Sequence, residues 1–234
     1  MQIKAIKTRI FKENEDLIKF ILKYFLKIKE KDIIVVTSKI VSLSEGRTVL
    51  YKNEKQKIEL LKKESTFALK TKYTWLTVKD GTVMAAAGID QSNANDKLIL
   101  LPKDSFETAE FIRHELKRKF KIKKLGVLIT DSRIFPLRSG VTGVALGYAG
   151  FKGIRNYIGK PDIFGRLLEM SRTDVADSLA TVAVLCMGEG REQQPLALIK
   201  NAPVEFTEKD NKKELHIDPK DDLYLPFLGS IIGK

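Results

Sequence analysis

The sequence predicts an α+β (mixed α/β) fold, on three observations. Two continuous aliphatic runs, Asp32 to Ser38 and Leu125 to Thr130, have the composition of strands buried on both faces. Segments 13–26, 105–120 and 174–187 carry apolar residues at helical spacing. Strands and helices follow one another irregularly, with no internal repeat and no clean linker before about residue 200, which favours α+β or a complex α/β class. Residues 1–234 are read as one domain, with 200–234 a partly mobile C-terminal extension.

In chain order, residues 2–9 read as a short strand. A helix over Glu13–Leu26 is expected, with a cap near Asn14 and a stripe of Leu17, Ile18, Ile21, Leu22, Phe25 and Leu26. After the strand Asp32–Ser38 comes a polar loop, Ser42–Arg47, turning at Gly46. Lys52–Lys70 reads as a charged, solvated helix. Thr82–Ile89 reads as a strand of small residues ending at Asp90, and Leu98–Leu101 as another, stopped by Pro102. Ser105–Phe120 is an amphipathic helix, and Leu125–Thr130 a strand ending at Asp131. Gly140, Gly143, Gly147, Gly150 and Gly153 lie too close together for a stable helix, each costing ~1 kcal/mol relative to alanine. They imply strands and turns whose backbone is closely approached. Pro161–Gly165 is a turn and Leu167–Met170 a strand. Thr173 or Asp174 caps a helix to about Met187, its core stripe including Val175, Leu179, Val182, Ala183 and Cys186. Pro195–Lys200 is a strand, Glu208–Asp222 a polar, mobile stretch, and Leu223–Ile232 apolar enough to dock on the body or on a partner.

The chain has 234 residues, 43% hydrophobic and 31% charged, enough for a full core. A single cysteine excludes an internal disulfide framework, and the N-terminus shows no secretory signal, so a reducing cytoplasm is expected. No apolar run approaches the ~20 residues of a membrane helix, so no membrane association is expected. The net charge of +12 has two readings. One is a lysine-rich solvated surface, with Lys outnumbering Arg 32 to 10. The other is a polyanionic partner, for which the basic run Arg113–Lys124 is the best feature. Without zinc-finger spacing or an RNA-binding aromatic signature, no nucleic acid is expected, and a small phosphate-bearing ligand fits better.

The chemistry concentrates in three acidic loops: Asp90 in GIDQSNA, Asp131 in LITDSR and Glu189 in MGEGREQQP. A carboxylate at the end of a rigid buried strand is well placed for chemistry. Three that converged would bind hard cations such as Mg²⁺ or Mn²⁺, which bridge nucleotide phosphates. Ser132 and Asn93 add neutral oxygen and amide groups. Taken singly, each acid reads equally as a turn cap. Arg133 and Arg138 suit a bidentate grip on phosphate or carboxylate, or a surface salt bridge. The loop Met187–Gln194 suits a base or triphosphate, or a plain helix C-cap. Neither a phosphate-binding Gly-x-x-x-x-Gly-Lys-Ser/Thr loop nor a dinucleotide fingerprint is present. His114 sits in a charged helix, His216 in the polar tail and Cys186 on an apolar stripe, which argues against zinc and against cysteine or Ser–His catalysis.

Six segments, VVTSKIVSLSEGR, AAAGIDQSNA, LITDSR, GVTGVALGYAGF, YIGKPDIFGR and VADSLATVAVLCMGEG, together resemble the coenzyme F420-0:L-glutamate ligase family, or gamma-glutamyl ligases, in the family's order over roughly residues 32–200. The resemblance implies an intertwined homodimer of mixed-sheet fold and a GTP-dependent carboxylate–amine ligase. Such an enzyme phosphorylates a substrate carboxylate, then lets the amine of L-glutamate displace phosphate. Two divalent cations, Mg²⁺ or Mn²⁺, and K⁺ are implied as cofactors. Carried over by motif, Asp90 and Asp131 are ligands of one metal and Ser132 and Glu189 of the second. Asp90, Asp131 and Arg138 are the candidate catalytic residues. Nucleotide contacts are implied for Thr8, Arg9, Ile10 and Phe11, for Ser38, Lys39 and Asn93, and for Met187, Gly188, Gly190, Arg191, Gln193 and Gln194.

Two departures from the family pattern stand out. Leu43 occupies a position where relatives carry a nucleotide-facing lysine, leaving GTP against ATP open; Arg9 is a candidate for the missing charge. The sequence after Asp131, SRIFPLRSG, fits a wider set of relatives, so the small carboxylate acceptor is F420-0-like or folate-like. A non-catalytic nucleotide-binding protein is the further alternative.

Overall fold

The computed structural model describes residues 1–94, 96–209 and 212–232. Its elements run β1 (Gln2–Ile6), α1 (Leu17–Tyr24), β2 (Asp32–Thr37), α2 (Ser38–Ser44), β3 (Thr48–Leu50), α3 (Glu54–Glu64), β4 (Phe67–Lys70), β5 (Trp75–Lys79) and β6 (Thr82–Ala85). They continue through β7 (Lys97–Ile99), α4 (Ser105–Phe120), β8 (Leu125–Arg133), β9 (Thr142–Ala149), β10 (Ile154–Asn156), β11 (Arg172–Asp174), α5 (Val175–Met187), β12 (Leu196–Lys200) and α6 (Leu225–Ile232). Among the described residues this is an α+β arrangement with four separate sheets.

The body is a five-stranded sheet in the order β1-β12-β2-β8-β9, antiparallel except for the parallel pair β2 and β8. Side chains alternate across a strand, and here both faces are covered. Ile34, Val36, Val127, Ile129 and Leu198 enter one core with Phe20 and Ile21 of α1 and Ile112 and Leu116 of α4. Ile33, Val35, Leu128, Ala197 and Ile199 enter the other with Ala176, Leu179, Ala180 and Ala183 of α5. This two-sided burial is why β2 and β8 read as unbroken apolar runs. The glycine series builds β9. A Cβ at Gly143 would stand 2.4 Å from the Ala180 carbonyl oxygen of α5, and one at Gly147 2.4 Å from the Ser105 backbone at the start of α4. Both helices therefore lie directly on the β9 backbone, the close approach that the glycines imply.

A second, smaller region holds α3, the three-stranded β4-β5-β6 meander and the β3-β7 pair. Arg47 and Lys79 converge there on Glu64, at 2.9 and 2.8 Å.

Several local expectations are corrected. The first helix starts at Leu17, because Asp16 rather than Asn14 accepts the Lys19 N–H; Asn14 is left-handed at φ 58°. Ser42–Ser44 is helical, since α2 begins directly after β2, and the turn is confined to Glu45 and Gly46. The charged helix ends at Glu64, and Phe67–Lys70 is strand β4; β3 and β5 had no clear signal. The strand before Asp90 stops at Ala85, because Ala86 and Ala87 adopt left-handed backbone, φ 49° and 54°. Leu167 makes only an isolated bridge to Pro161, so 167–170 is not a strand. Cys186 is exposed rather than core, and so is Val182; the buried face of α5 is Ala176, Leu179, Ala180, Ala183, Val184 and Met187.

Residues after β12 fold back over the sheet. Lys152 N–H donates to the Glu205 carbonyl, Thr207 N–H to the Gly150 carbonyl, and the Tyr148 hydroxyl to Glu214 at 3.0 Å. Within the apolar tail 223–232, Leu223 and Phe227 are exposed. No helix among the described residues is long and apolar enough to cross a membrane.

Candidate functional site

The parallel pair creates the site. Thr37 at the end of β2 lies opposite Thr130 of β8, so the next residues, Ser38 and Asp131, emerge side by side. Ligands bind at the carboxyl ends of parallel strands, where the chain leaves a rigid layer. The Ser38 hydroxyl donates to Asp131 Oδ1 at 3.3 Å. Asp131 lies within β8, two residues from its end, just past a register shift between Ile129 and Thr130. A bulge of this kind re-aims side chains.

Asp90 arrives from the smaller region. Its backbone exchanges two 2.9 Å hydrogen bonds with Ile99, pinning it to β7. Its carboxylate accepts the Ser92 N–H at 2.6 Å and the Ser92 hydroxyl at 3.1 Å. The Lys39 ammonium pairs with Asp90 Oδ2 at 2.7 Å and donates to the Ser92 carbonyl at 2.9 Å and the Ser92 hydroxyl at 3.1 Å. Lys39 thus joins α2 to the Asp90 turn.

Glu189 follows the C-terminus of α5, and Ser132 lies near enough to its carboxyl to lower its pKa. Three acids far apart in sequence therefore lie near enough to feel one another's charge. Burial pushes Glu189 up from the ordinary carboxylate range, Ser132 opposes this, Asp131 and Asp90 add to it, and Lys39 counters it. Burial likewise pushes Asp131 up, against Arg133, the Ser132 backbone and Ser38, with Asp90 adding to the rise. Burial would raise Asp90 too, but Lys39 and Ser92 hold it below its ordinary value.

The donors are carboxylate and hydroxyl oxygens: Asp90, Asp131 and Glu189 with Ser38 and Ser132. That set suits hard cations. Among the described residues, no three His, Cys, Asp or Glu side chains gather closely enough to hold one ion by themselves. A buried carboxylate pushed toward its neutral form, as Asp131 is, gains most from an added cation.

The two loops expected to contact nucleotide are neighbours. Thr8 N–H donates to the Gln193 carbonyl at 2.9 Å, and Thr37 N–H to the Pro195 carbonyl at 3.0 Å. The loop 188–194 is shaped by Glu192, which accepts the Gly190 N–H at 2.8 Å, and by Gln194, whose amide donates to the Met187 carbonyl at 3.4 Å. The side chains of Phe11 and Met187 are buried in the two cores, leaving their backbone for any ligand. Gly188 and Gly190, Arg191, Asn93 and Ile10 are exposed. Arg9 is tied to Glu15 and lies 5.1 Å over the Phe20 ring. Leu43 packs against the core beside α1, so apolar contact accounts for that residue.

Arg133, not Arg138, stands beside Asp131. Its Nη1 donates to the Val83 carbonyl at 3.2 Å, and its buried Nε has no hydrogen-bond partner among the described residues. Burial lowers the Arg133 pKa, opposed by Asp131, Asp177 and Asp80. Arg138 lies on the exposed loop between β8 and β9, and among the described residues no hydrogen bond or ion pair joins its side chain to the acids. Sequence reasoning missed Ser92 and Glu192. Asp90-Gln91-Ser92 is an Asx-turn pattern, which marks Ser92 in retrospect; no comparable signal marks Glu192.

Comparison with known proteins bears on this geometry. A family model described as F420-0:Gamma-glutamyl ligase matches residues 5–201. The chain is 34% identical to a coenzyme F420:L-glutamate ligase of Methanococcus maripaludis, over 91% of this chain and 93% of that protein. It is 33% identical to the protein of that name from Methanocaldococcus jannaschii, over 88% and 90%, and 30% to that of Archaeoglobus fulgidus, over 83% and 85%.

Proposed function

Because the chain belongs to the F420-0:gamma-glutamyl ligase family, we propose that this ligase joins the amine of L-glutamate to the carboxylate of an F420-0-type acceptor, driven by GTP through an acyl phosphate. The observation that carries the reading is the meeting of Asp90, Asp131 and Glu189 with Ser38, Ser132 and Lys39 at the ends of the parallel strands.

Asp90 and Asp131 would hold one divalent cation, and Ser132 and Glu189 the other. Bound Mg²⁺ or Mn²⁺ supplies neutralisation of phosphate charge. The loops 8–11 and 188–194, bonded to each other through Thr8 and Gln193, form a wall for the nucleotide. Lys39 lies near both Asp90 and Glu189, where it would meet phosphate oxygens. Arg133 places positive charge near Asp131 and opposes the rise that burial imposes on that carboxylate. The acceptor carboxylate attacks the γ-phosphate, giving the acyl phosphate and GDP. The glutamate amine then displaces inorganic phosphate, forming the amide and releasing a proton.

The protein acts as a homodimer. The arm between β10 and β11 carries Ile163, Phe164 and Met170 at 91%, 89% and 88% exposure, apolar surface suited to a second copy.

The experiment is an acceptor screen read by mass spectrometry, with GTP, Mn²⁺ and L-glutamate. One glutamyl unit added to F420-0, lost when GTP, cation or glutamate is omitted, is the expected result. Glutamylation of a folate but not of F420-0 would move the acceptor assignment, and no product with any acceptor would remove the catalytic reading.

A further inference from the structure

The Lys39 ammonium has three N–H donors, and three oxygens of the Asp90 turn receive them: Asp90 Oδ2, the Ser92 carbonyl and the Ser92 hydroxyl, at 2.7, 2.9 and 3.1 Å. Asp90 is equally occupied. Its Oδ1 accepts the Ser92 N–H, and its Oδ2 takes both Lys39 and the Ser92 hydroxyl. A divalent cation approaching Asp90 meets a positive charge already seated on the same carboxylate.

We propose that Lys39 is a displaceable cation, holding Asp90 against metal until nucleotide phosphate draws the ammonium away, so that metal and nucleotide bind cooperatively through this one side chain. The inference rests on the reading of Asp90 as a metal ligand. Displacing Lys39 without a new acceptor would strip a partly buried ammonium of three hydrogen bonds and place it beside a divalent charge. Phosphate oxygens supply that acceptor. Linkage then requires that metal tighten nucleotide binding by the same factor as nucleotide tightens metal binding. Lys39 is thus a positioning residue whose removal has opposite effects on its two ligands, a signature that general damage to the site does not produce.

The test is Mn²⁺ titration followed by electron paramagnetic resonance, with and without GDP, on wild type, Lys39→Met and Asp90→Asn. Wild type should bind Mn²⁺ weakly alone and about tenfold or more tightly with GDP, within the usual range of such couplings. Lys39→Met should bind Mn²⁺ alone about tenfold more tightly than wild type, bind GDP more weakly, and lose most of the coupling. Lys39→Arg keeps the charge and should stay weak for Mn²⁺ alone. Ser92→Ala, at an exposed turn, removes one of the three oxygens and should shift in the direction of Lys39→Met by a smaller factor, which keeps the test decisive should Lys39→Met not fold. Unchanged or weaker Mn²⁺ binding by both Lys39→Met and Ser92→Ala overturns the proposal. Unchanged Mn²⁺ binding by Asp90→Asn is a different failure, since it removes the metal reading itself.

Discussion

Asp131 meets two opposed demands. Its position within β8 buries the carboxyl and pushes it toward the neutral acid, while the proposed role of holding a cation requires it charged. The sign follows. The folded state binds this proton more tightly than the unfolded chain, so stability without cations falls as pH rises from 3.8 through the elevated folded value. Asp131→Asn removes that cost. It should melt at higher temperature than wild type at pH 8 without divalent cations, by differential scanning calorimetry, and lose the stabilisation that Mn²⁺ gives wild type. An unchanged or lower melting temperature would mean that the carboxylate is not strained by its burial. Such a gain in stability on losing function is the usual mark of a site held for chemistry.

At this scale the sequence was informative about acids and less so about their partners. Asp90, Asp131 and Glu189 were each visible, but their convergence depends on parallel pairing and a bulge, neither of which has a local signal. Leu43 reads as a lost charge in a motif, yet in the fold it covers core. Cys186 follows apolar spacing, but α5 turns its smaller alanines inward because β9 lies close.

Among the elements, α5 shows how local chemistry holds the site. Asp174 caps the helix by accepting the Asp177 N–H at 2.9 Å, and Asp177 accepts the Ala145 N–H of β9 at 2.8 Å. Thr181 donates to the Gly143 carbonyl at 2.8 Å. One helix face thus satisfies backbone groups along the sheet edge, which protects it. The arrangement crowds two carboxyls. Burial, with Asp177 adding to it, raises Asp174 to about 6. Its contribution to stability is therefore full at low pH and is lost as pH rises from 3.8 to about 6. Asp174→Asn keeps the cap and removes the repulsion. It should raise the melting temperature at pH 8, with the gain shrinking below pH 6. Asp174→Ala loses the cap and should cost about 1 kcal/mol at acid pH, and less at pH 8, where it too relieves the repulsion. A gain for Asp174→Asn that does not depend on pH would contradict the assignment.

Element types were legible where pattern and burial agreed, as in α4, β2, β8 and α5. They were misread where strain intervened. AAAG before Asp90 looks like strand, but Ala86 and Ala87 are left-handed, a conformation costing roughly 1–2 kcal/mol per residue, which tertiary contacts impose. The buried Thr77 hydroxyl receives the Ala87 N–H at 2.8 Å, a contact across ten residues that no window of sequence reveals.

For the whole molecule, the exposed apolar arm and the position of the acids make separate predictions. Light scattering should give twice the mass of one chain, and Phe164→Lys with Ile163→Lys should halve it. A monomeric wild type would remove the dimer proposal without touching the acid site. The net charge of +12 has a place in the fold as well. Lys27, Lys29, Lys31, Lys121, Lys123 and Lys124 crowd the loops at the starts of β2 and β8, the end of the sheet away from Asp131. In the basic run, Arg113 is buried and paired with Glu110 and Glu208.

The most direct test of the central claim, that the three converging acids run a nucleotide-driven ligation, is the rate of GTP-dependent glutamylation of F420-0 by wild type and Asp131→Asn, with Mn²⁺ saturating. Loss of a carboxylate that acts on the transition state should lower the rate about 10²–10³-fold in a protein that remains folded. An Asp131→Asn enzyme that turns over at the wild-type rate would contradict it.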